Sequence, residues 1–225
     1  RSTLFPYTTL FRSSTEPKEG IFVVADGVGG NNSGELASGE TVKCVADYMR
    51  RNPISAQTDR RDIRRQMQEC VREVNTHVIS ISREFPENRG MASTLLLCFI
   101  KNDKAYFYNI GDSRAYTKRG REVVLLTEDH TYVNTLLNLG VITEEEAKHH
   151  EQGNLITRAI GAEENTQGDF YQRKLKDGDI IVLCTDGLYN EIKENKFKEL
   201  TEENLSMQQL AEKMVEEANS AGGQY

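Results

Sequence analysis

Apolar residues change period several times along the chain. Ile21–Ala25 is a short unbroken apolar run, the pattern of a buried strand. A Gly/Asn-rich turn follows, and Asn32 with Glu35 is suited to cap the next helix. In that helix Val42, Val45, Ala46 and Met49 form one face. Beyond Pro53, a second stripe of Ile63, Met67, Cys70, Val71, Val74, Val78 and Ile81 has charge opposite it. The period then shortens. Ser93–Ile100, Lys104–Ile110, Arg114–Lys118 and Glu122–Leu126 read as strands, with turns at Asn102–Asp103 and around Gly120. Strands this close in sequence are most simply antiparallel neighbours. A helix over Tyr132–Leu139 and a short one capped by Thr143 with Glu146 come next, then a polar loop over His149–Asn154. Asp169–Leu175 and Asp179–Cys184 are strands joined by Lys176–Gly178. Met207, Leu210, Ala211, Met214, Val215 and Ala218 recur at helical spacing. Helices, then many short strands, then a helix predict an α+β fold with two antiparallel sheets face to face and helices outside.

A chain of 225 residues suits one such domain. Its net charge of −7 argues against a nucleic-acid or anionic-membrane surface, since both need clustered cations. It leaves a phosphorylated substrate open, because bound divalent ions reverse the local sign. No stretch approaches the ~18 apolar residues that span a bilayer. Cys44, Cys70, Cys98 and Cys184 are widely spaced, without a C-x-x-C pair. They read as free thiols of a reducing cytoplasm rather than disulfides or zinc ligands. At the start, Thr3–Ser13 (TLFPYTTLFRS) resembles a translated DNA-sequencing adapter. Residues 1–13 are therefore set aside as non-native, which leaves 14–225 as the domain. The Gly222–Gly223 stop signal has almost nothing after it. A domain truncated at both ends is expected, with weak or no activity in the fragment.

Two apolar runs end in Asp-Gly: Phe22–Gly27 and Ile180–Gly187. A third acidic turn, Gly111–Asp112–Ser113–Arg114, follows Ala105–Ile110. Each places a carboxylate on a rigid strand end. The glycine at Gly27 or Gly187 lets a carbonyl oxygen face the same ion as the side chain. Oxygen donors of this kind suit Mg²⁺ and Mn²⁺. A water deprotonated between two such ions ~3.5–4 Å apart would attack phosphorus in line, with no protein nucleophile needed. Competing readings are weaker. Asp-Gly after a strand is also an ordinary turn. Gly27–Val28–Gly29 hints at a dinucleotide loop, but Asn32 replaces the third glycine. An aspartyl-phosphate hydrolase would want a second acid where Val28 stands. No P-loop sequence is present.

Seven stretches in fixed order carry a resemblance. They are Val24–Gly30 (VADGVGG), Gly34–Ser38 (GELAS), Gly90–Thr94 (GMAST), Asn109–Ala115 (NIGDSRA), Leu126–Thr131 (LTEDHT), Ile156–Gly161 (ITRAIG) and Leu183–Gly187 (LCTDG). Together they resemble the metal-dependent serine/threonine protein phosphatase family, PPM or PP2C, in its bacterial branch. The resemblance runs from about Gly20 to Gly223 and implies an α-β-β-α sandwich with a dinuclear Mn²⁺ or Mg²⁺ site. It implies catalytic roles for Asp26 and Asp186, and metal ligation by Asp26, the Gly27 carbonyl and Asp186. Asp112 matches the position of a third, weaker ion. Thr143–Ala162 matches a flap over the substrate, where His149 and His150 read as solvated. The implied activity is hydrolysis of phosphoserine and phosphothreonine in proteins. Implied partners are phosphorylated proteins and a Ser/Thr kinase, with the enzyme a cytoplasmic monomer.

Departures from the pattern also matter. The family's early phosphate-binding Arg and acidic pair are absent before Glu19, and either Tyr225 stands where a final ligand Asp is expected or the frame is lost there. Asn190 replaces a carboxylate and weakens the third site. Val28 replaces a general-acid His, so protonation of the leaving group would fall to metal-bound water. The alternative is a non-catalytic module that keeps the fold to bind phosphoproteins. Arg114 is expected to brace the Asp112 turn, His130 to anchor the helix leading to the flap, and Tyr106, Tyr108 and Tyr116 to belong to core and sheet.

Overall fold

The segment Leu95–Lys101 is apolar at nearly every position because both of its faces are covered. Leu95, Leu97 and Phe99 enter one core, while Leu96 and Cys98 enter another, as the two-residue strand period requires. The computed structural model describes residues 8–16, 19–28, 32–55 and 58–222, with the backbone alone for 8–16 and Asn32. In chain order the elements are β1 (Thr8–Glu16), β2 (Glu19–Val28), α1 (Asn32–Arg51), α2 (Arg60–Glu84), β3 (Ala92–Ser93), β4 (Leu95–Lys101), β5 (Lys104–Ile110), β6 (Arg114–Arg119), β7 (Glu122–Leu125), α3 (Tyr132–Asn138), α4 (Glu144–Lys148), β8 (Asp169–Lys174), β9 (Ile180–Cys184), α5 (Asp186–Tyr189), α6 (Glu194–Glu202) and α7 (Met207–Ala221).

One sheet has the order β1-β2-β4-β5-β8, with β3 also on β2; the other has the order β7-β6-β9. Every pairing is antiparallel. α1 and α2 pack their stripes on the outer face of the larger sheet, around Val45, Ile63, Met67 and Val74. α5, α6 and α7 cover the smaller sheet with Leu188, Phe197, Leu200, Leu210 and Met214. Between the sheets lie Leu96, Cys98, Phe107 and Ala115, with Ile181 and Leu183 against them. Four layers result, helix–sheet–sheet–helix, as expected. All four cysteines are free, and Cys70, Cys98 and Cys184 are buried. Among the described residues no helix is long and apolar enough to cross a membrane.

Most boundaries fall where the pattern puts them. Thr143 and Glu146 form a reciprocal capping box, and Asp59 caps α2 by accepting from the Asp62 N–H at 2.9 Å. The Asn32 side chain, the expected cap of α1, lies outside the described residues, as do Gly29–Asn31 and Gly223–Tyr225. Two differences concern topology. β5 and β6 are close in sequence but sit in different sheets, and so do β8 and β9. The turns at Gly111–Ser113 and Lys176–Gly178 therefore cross between layers instead of closing hairpins. β5 is already flanked on both sides by β4 and β8, so its successor has to pair elsewhere. The third difference concerns residues set aside in the sequence. Thr8–Ser13 pair with β2, with Thr8 opposite Asp26 and Ser13 opposite Ile21. Such pairing draws on main-chain groups that any sequence carries.

Candidate functional site

Asp26 lies near the end of β2, Asp112 on the layer-crossing turn after β5, and Asp186 at the first position of α5 after β9. The fold brings the three toward one place. The Asp26 and Asp186 carboxyl groups are near neighbours, and Asp112 is close enough to act on Asp26, and Asp186 on Asp112, by charge. Burial, then the neighbouring Asp186, push the Asp26 carboxyl up to about 8. Burial, followed by the charges of Asp186 and Asp129, raises Asp112 to about 7. Carboxylates held together against both desolvation and mutual repulsion call for a compensating positive charge. Three hard oxygen donors without softer ligands match Mg²⁺ or Mn²⁺ chemistry. Among the described residues no group of three or more acidic, His or Cys side chains stands close enough together to form a ready metal cluster.

The backbone around the acids is tightly determined. Thr94 Oγ1 accepts from the Asp26 N–H at 2.9 Å, and the Thr94 N–H donates to the Asp26 carbonyl at 2.8 Å. Ser93 Oγ donates to that same carbonyl at 3.0 Å. The Thr94 hydroxyl also meets Ser113 Oγ at 2.7 Å, which joins the Asp26 strand end to the residue after Asp112. Gly27 has to be glycine, since a Cβ there would overlap the Gly34 carbonyl in the first turn of α1. At Gly111, φ is +99° and a Cβ would come within 2.7 Å of Thr94 Cγ2. The turn carrying Asp112 is thus packed directly on the residue that holds Asp26.

Arg114 follows this turn, and its side chain engages Asp129 and Tyr116. Its guanidinium forks onto Asp129, with Nε to Oδ1 at 3.0 Å and Nη2 to Oδ2 at 2.6 Å, and it lies 3.7 Å from the centroid of the Tyr189 ring. Burial disfavours the charge, yet the paired Asp129 more than offsets it and raises the Arg114 pKa. His130 takes up the turn from the other side. Its N–H donates to the Gly111 carbonyl at 3.0 Å, and its Nδ1 accepts from the Gly111 N–H at 3.1 Å. It precedes α3, so the expected anchor is present, with the Gly111 turn as its main attachment. Tyr106 and Tyr108 are core residues, and Tyr116 packs on Phe197 under the helices of the smaller sheet. His149 is solvated, whereas His150 meets the Tyr132 ring edge-on at 6.0 Å. Asn190 is exposed, and its N–H donates to the Asp186 carbonyl at 2.9 Å.

A groove of about 760 Å³ begins at Val28, two residues after Asp26, and none of the three acids lines it. Its walls include Val28, Ala92, Arg158, Glu163, Gln167 and Asp169. Val28 therefore faces the groove with no titratable group. Ser93, Thr94, Ser113 and Asp129 are contributors for which the sequence reading gave no role. Their one signal is a pair of buried hydroxyls interrupting an apolar run.

The family model described as protein phosphatase 2C matches residues 10–219. The chain belongs to the protein phosphatase 2C family. It is 31% identical over 204 residues to a serine/threonine phosphatase, stp, of Listeria monocytogenes, covering 91% of this chain and 80% of that one. It is also similar to the solved Streptococcus agalactiae serine/threonine phosphatase, with a TM-score of 0.88, 28% identity, and coverage of 96% of this chain and 88% of that one. A solved PstP catalytic domain in complex with two manganese ions matches with a TM-score of 0.78, 26% identity, and coverage of 96% and 92%.

Proposed function

We propose that this chain is a metal-dependent protein phosphatase that hydrolyses phosphoserine and phosphothreonine in proteins. The observation that carries the reading is the convergence of Asp26, Asp186 and Asp112, close enough for Asp186 and Asp112 to raise the Asp26 carboxyl, with Val28, two residues after Asp26, on the wall of a polar groove. Asp26 and Asp186, with the Gly27 carbonyl, would hold two divalent ions, Mn²⁺ or Mg²⁺, and Asp112 would hold a third. When bound, these ions supply the Lewis acidity that activates water and offsets charge on the phosphoryl oxygens. The chain's own part is orientation. Thr94 fixes the main chain on both sides of Asp26, and Ser113 locks the Asp112 turn to Thr94. Arg114 and Asp129 neutralise each other next to that turn, so the Arg114 charge does not compete there with a metal. Val28 offers no proton to the leaving serine or threonine oxygen. The phosphoresidue enters along the groove, where Arg158 is the lining cation.

Asn190 as an amide makes the third site weak, because a neutral oxygen is a poorer ligand for a hard cation than a carboxylate. Phosphorylated proteins are the substrates, including those of a Ser/Thr kinase whose action this enzyme reverses. A monomer in the cytoplasm is consistent with four free thiols and the acidic surface. The Listeria relative is itself named a serine/threonine phosphatase, which favours catalysis over a module that only binds. The test is release of phosphate from a phosphothreonine peptide with Mn²⁺, repeated in excess chelator. Activity that survives the chelator unchanged overturns the reading.

A further inference from the structure

His130 touches two things that the proposed reaction keeps separate: the turn carrying Asp112 and the wall of the groove. Its side chain is 4% exposed. On one side Nδ1 accepts from the Gly111 N–H at 3.1 Å. An N–H donor there means that Nδ1 bears no proton, so the neutral ring carries its hydrogen on Nε2. On the other side Nε2 lies 2.8 Å from Asp169 Oδ2, which accepts that hydrogen. Burial lowers the His130 pKa and favours the same neutral ring. Arg158 Nη1 sits 3.3 Å from Nε2 and 3.5 Å from Asp169 Oδ2. Two donors do not bond each other, so Arg158 directs its hydrogen to Asp169. Asp169 and Arg158 are about half exposed and line the groove. The His130 carbonyl also accepts from the Thr157 N–H at 2.8 Å, which fixes the backbone next to Arg158. Asp129 and Glu128 precede His130; Asp129 is held by Arg114, and Glu128 receives the Asn134 amide at 3.2 Å.

We propose that His130 is a positioning residue whose two ring nitrogens do separable work. Nδ1 sets the turn carrying Asp112, while Nε2–H sets Asp169 and, through it, the Arg158 guanidinium that faces substrate. The inference rests on the phosphatase reading above and goes beyond it, because it assigns a residue that touches neither metal ligand side chains nor substrate. Groups that orient a metal-binding or reacting group from behind change affinity or activity by about 10–100-fold when lost.

Side-chain amides separate the two roles by length. In His130→Asn the amide oxygen stands near the place of Nδ1 and still accepts from Gly111, but nothing reaches Asp169. In His130→Gln the amide nitrogen stands near the place of Nε2 and still donates to Asp169, but Gly111 loses its acceptor. Asp169→Ala removes the groove partner from an exposed position and leaves His130 in place. Each full-length chain is assayed two ways: Mn²⁺ binding by the EPR signal of free Mn²⁺, and kcat and KM on a phosphothreonine peptide at saturating Mn²⁺. Circular dichroism melts report folding. The expected pattern is a double dissociation. His130→Gln weakens the tightest-affected Mn²⁺ step by roughly 10-fold with KM near wild type. His130→Asn and Asp169→Ala raise KM by roughly 10-fold with Mn²⁺ binding near wild type. Equal effects of Asn and Gln on both quantities overturn the proposal, as does Asp169→Ala weakening Mn²⁺ as much as His130→Gln does. If both His130 variants fail to fold, Asp169→Ala alone decides it, by raising KM or leaving it unchanged. A wild-type chain that does not bind Mn²⁺ at all sinks the phosphatase reading instead.

Discussion

Asp26 and Thr94 hold each other by two reciprocal bonds: the Asp26 N–H donates to Thr94 Oγ1 at 2.9 Å, and the Thr94 N–H returns to the Asp26 carbonyl at 2.8 Å. Thr94 is the residue at which the apolar run Met91–Ile100 breaks between β3 and β4. Thr94→Val preserves shape and removes the hydroxyl, leaving the Asp26 N–H without its acceptor and Ser113 without its partner. A buried donor left unpaired costs about 1–3 kcal/mol. The expected result in urea denaturation is a loss of that size. Because the Asp26 main chain loses one of its two bonds to residue 94, kcat should fall more than KM rises. Thr94→Ser keeps the hydroxyl and should recover most of both. Equal activity of the Val and Ser variants would mean that the hydroxyl positions nothing.

The acid pair implies a trade of stability against function. Without a cation, Asp186 disfavours the charge on Asp26. Asp186→Asn removes one charge and keeps the Oδ1 that accepts from the Gly187 N–H at 2.8 Å. The metal-free variant should melt higher than the metal-free wild type at pH 8, by about 2–4 °C for each kcal/mol gained in a domain of this size. Its phosphatase activity should drop by about two orders of magnitude or more, the scale seen when a group that stabilises transition-state charge is lost. A variant that melts lower without metal would show that the pair is not a source of repulsion.

The same acids set a pH dependence. Asp26 at about 8 and Asp112 at about 7 lie above the ordinary carboxylate value near 4 that they have when unfolded. The folded, metal-free protein therefore binds more protons than the unfolded chain in this range. That contribution is fully present below about pH 4 and is lost as pH rises through 7 and 8. Asp179 works in the opposite sense: its bond with Arg119 lowers its pKa, so its contribution is present at neutral pH and lost on acidification below about 4. Metal-free melts should fall steadily from pH 5 to 8.5, and saturating Mn²⁺ should flatten or reverse the slope. A metal-free melting temperature that climbs over that range contradicts the burial of the acids.

The acids are legible in the sequence because each ends an apolar run next to a glycine, a local signal. The helical stripes of α1 and α2 and the capping box of α4 are local as well. What is not legible depends on which layer a strand joins. The bond between His130 and Asp169 exists because β8 pairs with β5 and sets Asp169 opposite Asn109, and nothing near either residue announces that pairing. The same holds for Ser113 and Thr94, brought together only when the chain crosses between sheets at Gly111. A buried hydroxyl in a strand is compatible with either face until its partner is known, so Ser93 and Thr94 stand in the sequence as part of a motif without a task.

Asn75 provides a test of how firmly the groove is built. It is 2% exposed on the inner side of α2. Its Nδ2 donates to the Glu163 carbonyl at 2.8 Å and to the Glu164 carbonyl at 3.2 Å, and its Oδ1 accepts from the Gly161 N–H at 2.8 Å. One side chain thus fastens the segment that follows Arg158 and contributes Glu163 to the groove wall. Asn75→Ala should cost about 1–3 kcal/mol, since the freed groups are only partly reachable by water. It should raise KM for a phosphopeptide with little change in kcat, because the acids sit on other elements. Asn75→Asp is the sharper variant. It keeps the acceptor for Gly161 but turns a donor into an oxygen facing two carbonyls, so its carboxyl is pushed upward by burial and by those dipoles. At pH 7 it should be less stable than Asn75→Ala, and lowering the pH to 5 should narrow or invert the gap as the acid takes a proton and donates again. Urea midpoints for both variants at the two pH values decide this, and a pH-independent ranking would place the Asn75 amide outside the network described here.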